Sequence, residues 1–227
     1  MSRVPRLPAR ARAAVLAGLY AALGIASSAS AARHSRAGAW ATKPLLMPVL
    51  AAFALVAAGD QKKDMRLPAA GMALSGLGDT ALLGPESWFV PGMGAFAAAH
   101  ACYITALATG GAARGVRPRV AAGYAALWAV LIAVLWRGLG RLRVPVAAYS
   151  LLLVSMAVLA SGRNRAAAAG GALFVVSDAL IACGLAGINA VPRQESAVMP
   201  TYVAAQFLLA AGFLRRPAPA GTEFRQE

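Results

Sequence analysis

The sequence predicts an all-α protein, a polytopic membrane helix bundle of about eight transmembrane helices with both termini cytoplasmic. Three observations lead there. The 227 residues are 59% hydrophobic and 13% charged, with a mean hydropathy of +0.63, which is too apolar for a water-soluble domain of this size. The apolar residues fall into eight runs of 17 to 21 residues, the length a helix needs to cross the hydrocarbon core. With the N-terminus inside, cytoplasmic segments carry 15 lysines and arginines and outer loops carry 7, the asymmetry that orients spans.

The runs lie near 13–31, 42–58, 67–83, 89–109, 119–136, 144–161, 166–185 and 197–214. Lipid offers the backbone no hydrogen bonds, so each is expected to be helical. The connections are short and no soluble insert interrupts them, so residues 1–227 read as a single integral-membrane domain. The net charge of +14 lies between the apolar runs and not on one amphipathic face. It therefore reads as a topology signal, and no nucleic-acid partner is expected. Lysine occurs only at Lys43, Lys62 and Lys63. With the alanine excess, this suggests a GC-rich bacterial genome and hence a multi-pass protein of the bacterial inner membrane.

The first run follows Arg3, Arg6, Arg10 and Arg12 and ends in Ala29-Ser30-Ala31, which also fits a cleavable signal peptide. A retained first helix is favoured, because an arginine cluster before a span is equally what a signal-anchor needs. The second run opens at Lys43-Pro44, where a cationic side chain at the outer mouth suits either snorkelling or a lipid phosphate. The third holds Ser75-Gly76-Leu77-Gly78-Asp79, a carboxylate inside a span. The fourth carries His100 and Tyr103, which share a face at i and i+3. The sixth carries Tyr149, the seventh Ser177-Asp178, and the eighth Tyr202 and Gln206 at i and i+4.

Six of the eight acidic residues, Asp60, Asp64, Glu86, Glu195, Glu223 and Glu227, fall in loops or the tail. Asp79 and Asp178 alone lie within spans. Each stands 12 residues after the start of its run, about 18 Å along a helix rising ~1.5 Å per residue, in the outer half. An ionisable group at mid-bilayer costs about 2.5 to 3.5 kcal/mol on insertion scales, so it marks function unless a partner explains it. No mid-span lysine or arginine supplies that partner. Gly71, Ser75 and Asp79 form a small-residue face, as do Gly170, Gly171 and Ser177 on the seventh run, and close packing there is expected to bring the two acids together. Two carboxylates in a low dielectric share a proton more readily than both ionise, which makes one acid and one base available.

His34 and His100 have no cysteine or carboxylate at ligand spacing, and Cys102 and Cys183 sit in apolar runs, so neither a metal, a cofactor nor a disulfide is expected. Gly76-Leu77-Gly78-Asp79 matches the GxGD signature of intramembrane aspartyl proteases. In that class a Tyr-Asp helix precedes the GxGD helix and a Pro-Ala-Leu motif follows. Here the second aspartate comes after it, behind Ser177, and no Pro-Ala-Leu occurs. A small proton-coupled transporter using the two acids as a relay is the non-enzyme alternative.

"TKPLLMP" at 42–48, "GLGDTALL" at 76–83, "GAFAAAHACYI" at 94–104, Tyr149, "GALFVVSDALIA" at 171–182 and "TYVAAQFLL" at 201–209 resemble, in order, the landmarks of the YhhN family of membrane lysoplasmalogenases. The resemblance implies an eight-helix enzyme that hydrolyses the vinyl ether bond of a lysoplasmalogen to a fatty aldehyde and glycerophosphoethanolamine or glycerophosphocholine. It implies catalytic roles for Asp79 and Asp178. It carries the family's recurring Lys-Pro, His, Tyr and Gln positions onto Lys43 with Pro44, His100, Tyr103, Tyr149, Tyr202 and Gln206, and Ser177 joins this substrate-binding set as the neighbour of Asp178. The expected partners are a lysophospholipid substrate and membrane lipids.

Overall fold

The computed structural model describes residues 8–191 and 194–215, apart from the Glu195 side chain. Within them the chain forms eight α-helices joined by short links: α1 (Ala9–Ala32), α2 (Arg36–Ala57), α3 (Lys62–Ala81), α4 (Phe89–Thr109), α5 (Pro118–Leu135), α6 (Arg143–Ser161), α7 (Arg165–Leu185) and α8 (Gln194–Leu214). Seven of these are long and apolar enough to cross a membrane, α3 being the exception. The chain is thus an integral membrane protein by the length and composition of its helices. Helix α3 falls short because it begins with Lys62, Lys63, Asp64 and Arg66 and includes Asp79. It is nonetheless built into the bundle, with Met72, Ser75, Gly76 and Gly78 buried.

Several helices start earlier than the apolar runs suggest. Helix α2 begins at Arg36, where the Ser35 side chain caps it by accepting from the Gly38 N–H at 3.2 Å. Helix α3 begins at Lys62. Hydropathy marks the lipid-crossing part, whereas a capped helix continues into the polar boundary as long as its backbone bonds are met. As a result Asp79 stands 17 residues into α3 and Asp178 13 residues into α7, so equal depth does not follow from the helix starts.

Short links make successive helices antiparallel. Packing of α1 on α2, α2 on α3, α3 on α4, α4 on α6, α6 on α7, α7 on α8 and α8 on α1 closes a ring of seven helices. Helix α5 stands outside the ring against α6 and lightly against α7, and Leu135 is its one buried residue. The ring is filled by an aromatic and methionine core that includes Tyr103, Phe174, Met47, Met72 and Met156. Glycines let the helices meet. A Cβ on Gly71 would lie 2.5 Å from the Tyr103 ring, and one on Gly170 would lie 2.7 Å from the Leu209 backbone nitrogen. The small-residue face of α3 therefore serves α4, and that of α7 serves α8 and, at Gly171, Ala157 of α6. Neither face clamps α3 directly to α7 as the stripe alone suggested.

Side-chain to backbone ties lock the ring. Tyr20 of α1 donates to the Val203 carbonyl of α8 at 2.9 Å. Asn164 caps α7 by accepting from the Ala167 N–H, and it also donates to the Gly212 carbonyl near the end of α8. The Arg163 guanidinium donates to the carbonyls of Gly212 and Phe213, at 3.0 Å each, satisfying oxygens that the last turn of a helix leaves open. Trp40, Trp88 and Trp136 lie at the start of α2, the α3–α4 link and the end of α5, and all three are exposed. Alternating helices bring these positions to one end of the bundle, where they form the aromatic girdle of a membrane boundary.

Candidate active site

Towards that end the helices line an apolar cavity. Its walls come from every helix except α1, and its polar groups are Lys43, Asp79, Tyr149, Ser150, Ser177, Asp178 and Tyr202, with the Trp128 indole. Two sides differ in character. On the side of α2, α3 and α8 stand Lys43, Asp79 and Tyr202. On the side of α5, α6 and α7 stand Trp128, Tyr149, Ser150, Ser177 and Asp178 within a larger apolar lining that includes Leu131, Ile132, Val146, Leu153, Ile181 and Leu185. Asp178 belongs to α7, which packs against both α8 and α6, so it stands where the two sides meet.

Lys43 reaches the cavity because of the register between α2 and α3. A Cβ on Gly76 would lie 3.0 Å from Cβ of Met47, and in antiparallel helices one turn back from Met47 meets one turn on from Gly76. That sets Lys43 level with Asp79, and both side chains line the cavity. Pro44 and Pro48 lie inside α2. Neither can donate a backbone N–H, so the carbonyls of Trp40 and Pro44 lack their usual helical partners along this stretch.

Each aspartate is held by one tyrosine. The Tyr202 hydroxyl donates to Oδ2 of Asp79 at 2.7 Å, and the Tyr149 hydroxyl donates to Oδ2 of Asp178. Behind each tyrosine lies a further polar residue. Gln206 Nε2 donates to the Tyr202 oxygen at 3.2 Å, and Gln206 Oε1 accepts from the Tyr103 hydroxyl at 3.1 Å. His100 Nε2 lies 3.3 Å from the Tyr149 oxygen. His100, Tyr103 and Gln206 are fully buried and do not line the cavity, so these three members of the expected substrate-binding set stand behind the tyrosines. Phe174 separates the two arms, with its ring 4.9 Å from His100 and 5.5 Å from Tyr202, edge-on to both. Ser177 does line the cavity, and its Oγ donates to the Val198 carbonyl at 3.2 Å, tying α7 to α8.

The polar chains run inward from each carboxylate, so Asp79 keeps its Oδ1, and Asp178 its own, for whatever occupies the cavity. Carboxyl groups fixed by one hydrogen bond and open at the other oxygen can donate, accept or abstract a proton. Trp128 and Ser150 were not foreseen as site residues. They join α5 to α6 through an indole N–H···Oγ bond of 3.0 Å at the cavity wall. The available signal was slight: an indole N–H in a lipid-facing run needs an acceptor. Among the described residues, no three His, Cys, Asp or Glu gather as a metal would require.

No curated protein and no solved structure matches the chain. A family model, that of the YhhN family, matches residues 38–213, from the start of α2 to the end of α8, and on this match over most of its length the protein belongs to the YhhN family.

Proposed function

We propose that the protein is a lysoplasmalogenase-like hydrolase that cleaves the vinyl ether bond of a single-chain ether phospholipid by two-aspartate acid/base catalysis in the bacterial inner membrane. The observation that carries this reading is the pairing of Asp79 and Asp178 around one apolar cavity that also holds Lys43. Membership of the YhhN family fits the same activity. The products are a fatty aldehyde and glycerophosphoethanolamine or glycerophosphocholine.

The chemistry suits the residues. A vinyl ether is hydrolysed by proton transfer to the vinyl carbon remote from oxygen, which leaves an oxocarbenium-like centre for water to attack. A carboxylic acid supplies the proton and a carboxylate accepts one from the water, as in glycoside hydrolysis. The cavity wall excludes bulk water around the reacting carbons, and the lipid chain fills its apolar side. Lys43 meets the phosphate. Tyr149, Ser177 and Tyr202 border the substrate, while His100, Tyr103 and Gln206 act through the tyrosines.

The test is to incubate the purified protein in detergent with lysoplasmalogen and measure long-chain aldehyde. A hydrolase releases it without any proton gradient. A transporter releases none, and a protease cuts a model membrane helix instead. Peptide cleavage without aldehyde would replace this reading with the protease.

A further inference from the structure

We infer that the two carboxylates have fixed and different roles: Asp178 delivers the proton to the vinyl carbon, and Asp79, beside Lys43, is the carboxylate that takes a proton from the attacking water. The assignment rests on the proposed vinyl ether hydrolysis and deepens it.

The cavity lining sets the direction in which a substrate must lie. The larger apolar surface of the cavity, with Leu127, Leu131, Ile132, Leu153, Ile181 and Leu185, comes from α5, α6 and α7, and its basic lining residue, Lys43, is on α2. A single-chain ether phospholipid therefore places its hydrocarbon between Leu131, Ile132, Leu153 and Ile181 and its phosphate toward Lys43. Along that molecule the order is chain, remote vinyl carbon, oxygen-bound vinyl carbon, ether oxygen, glycerol, phosphate. The carbon to be protonated lies toward the chain, and Asp178 is the acid that adjoins the apolar side. Ile181 and Ala182, the next turn of its own helix, line that side with it. Asp79 adjoins the head-group side.

Charge pairing also separates the two acids. A carboxylate in a water-poor cavity persists as an anion only with a compensating charge or donors. Asp79 has Lys43 level with it across the α2–α3 contact. The side of the cavity next to Asp178 offers Tyr149, Ser150, Ser177 and the Trp128 indole but no basic lining residue.

The hydrogen bonds behind the two tyrosines differ as well. Gln206 donates through Nε2 to the Tyr202 oxygen and accepts through Oε1 from Tyr103. Tyr202 has one proton, which is committed to Asp79 Oδ2 at 2.7 Å. The buried amide thus fixes the direction of the Tyr202 hydrogen bond, leaving Tyr202 as a donor to Asp79. Tyr149 has no such amide behind it. Its neighbour is His100 Nε2, which donates in one tautomer and accepts in the other.

The steps balance. The Asp178 proton bonds to the remote vinyl carbon using the C=C π pair, leaving Asp178 as carboxylate and positive charge shared between the other carbon and the ether oxygen. Water oxygen bonds to that carbon as its proton passes to Asp79. The resulting hemiacetal breaks at the carbon to glycerol-oxygen bond. The Asp79 proton goes to the departing oxygen and the hemiacetal hydroxyl proton returns to Asp178, restoring both groups.

Azide separates the roles, because it attacks the oxocarbenium centre without a base. With lysoplasmalogen and sodium azide, Asp79→Ala is expected to yield a lipid of substrate mass plus HN3, while Asp178→Ala yields none. The Asn variants in deuterium oxide give a second reading that does not depend on the alanine proteins folding. Unreacted substrate recovered from Asp79→Asn should carry deuterium at the remote vinyl carbon, and substrate from Asp178→Asn should not. An azide adduct from Asp178→Ala, no adduct from an Asp79→Ala protein that gives a monodisperse peak, or deuterium only with Asp178→Asn overturns the assignment. A wild-type protein that releases no aldehyde overturns the underlying hydrolase reading as well, so the two failures are distinguishable.

Discussion

Replacing Tyr202 by phenylalanine deletes one oxygen that serves two bonds: its donation to Asp79 at 2.7 Å and its acceptance from Gln206 at 3.2 Å. A hydrogen bond to a charged group contributes about 1.5 to 3 kcal/mol. If about 2 kcal/mol of that positions Asp79 in the transition state, turnover falls roughly 30-fold, since ~1.4 kcal/mol is a factor of ten. Tyr103→Phe removes only the outermost bond of the same arm, the 3.1 Å donation to Gln206. Neutral side-chain bonds between membrane helices average about 0.6 kcal/mol, so its effect should be about threefold. The assay is aldehyde release per folded molecule, with folded protein taken from a monodisperse detergent peak, because an orphaned Gln206 also lowers stability. Equal losses from the two variants, or a Tyr202→Phe protein within threefold of wild type, would refute the idea that the arm acts on Asp79 through Tyr202.

Further expectations follow from packing, charge and orientation. Gly170→Ala should lower the thermal midpoint in detergent, because its Cβ would lie 2.7 Å from the Leu209 backbone nitrogen and 2.9 Å from the Ala205 carbonyl oxygen. Overpacking of this kind costs about 1 to 3 kcal/mol. Gly94→Ala is the control, since nothing lies within 4 Å of its Cβ; it should be neutral or raise the midpoint by up to the ~1 kcal/mol that alanine gains over glycine in a helix. Lys43→Ala should raise KM for lysoplasmalogen more than it lowers kcat if the lysine holds the phosphate equally before and during reaction; a loss confined to kcat would contradict that role. For topology, cysteines at Glu86 and Arg117 should label from outside and inside respectively, as the 15 to 7 split of basic residues requires. The reverse pattern would invert the orientation.

Much of this architecture is legible in the sequence because lipid imposes a simple rule: each crossing segment must be apolar and helical. The eight runs predict the eight helices, and Asp79 and Asp178 stand out as the acids inside the apolar runs, although α3 and α8 start early enough to include Asp64 and Glu195 as well. Other features have no such signal. Helix α5 is apolar all round, so hydropathy cannot tell that it stands outside the ring while contributing Trp128, Leu131 and Ile132 to the cavity. The start of α3 at Lys62 is hidden because charges read as loop, although a helix can carry them at the membrane boundary. The layering of His100, Tyr103 and Gln206 behind Tyr149 and Tyr202 depends on which faces of α4, α6 and α8 turn inward. Spacing along one helix shows that Tyr202 and Gln206 share a face, but not that Tyr103 of another helix meets Gln206.

The most direct measurement of the central claim is aldehyde release from lysoplasmalogen by Asp79→Asn and Asp178→Asn, each compared with wild type per folded molecule. Asparagine keeps the shape and a hydrogen-bond acceptor for Tyr202 or Tyr149, but it can neither give a carboxylic proton nor serve as a base. Both variants are expected to insert, to keep a monodisperse peak, and to show no turnover. Near wild-type aldehyde release from either one, with an intact monodisperse peak, would contradict the two-carboxylate account and turn attention to His100 and Tyr149 as the source of the proton.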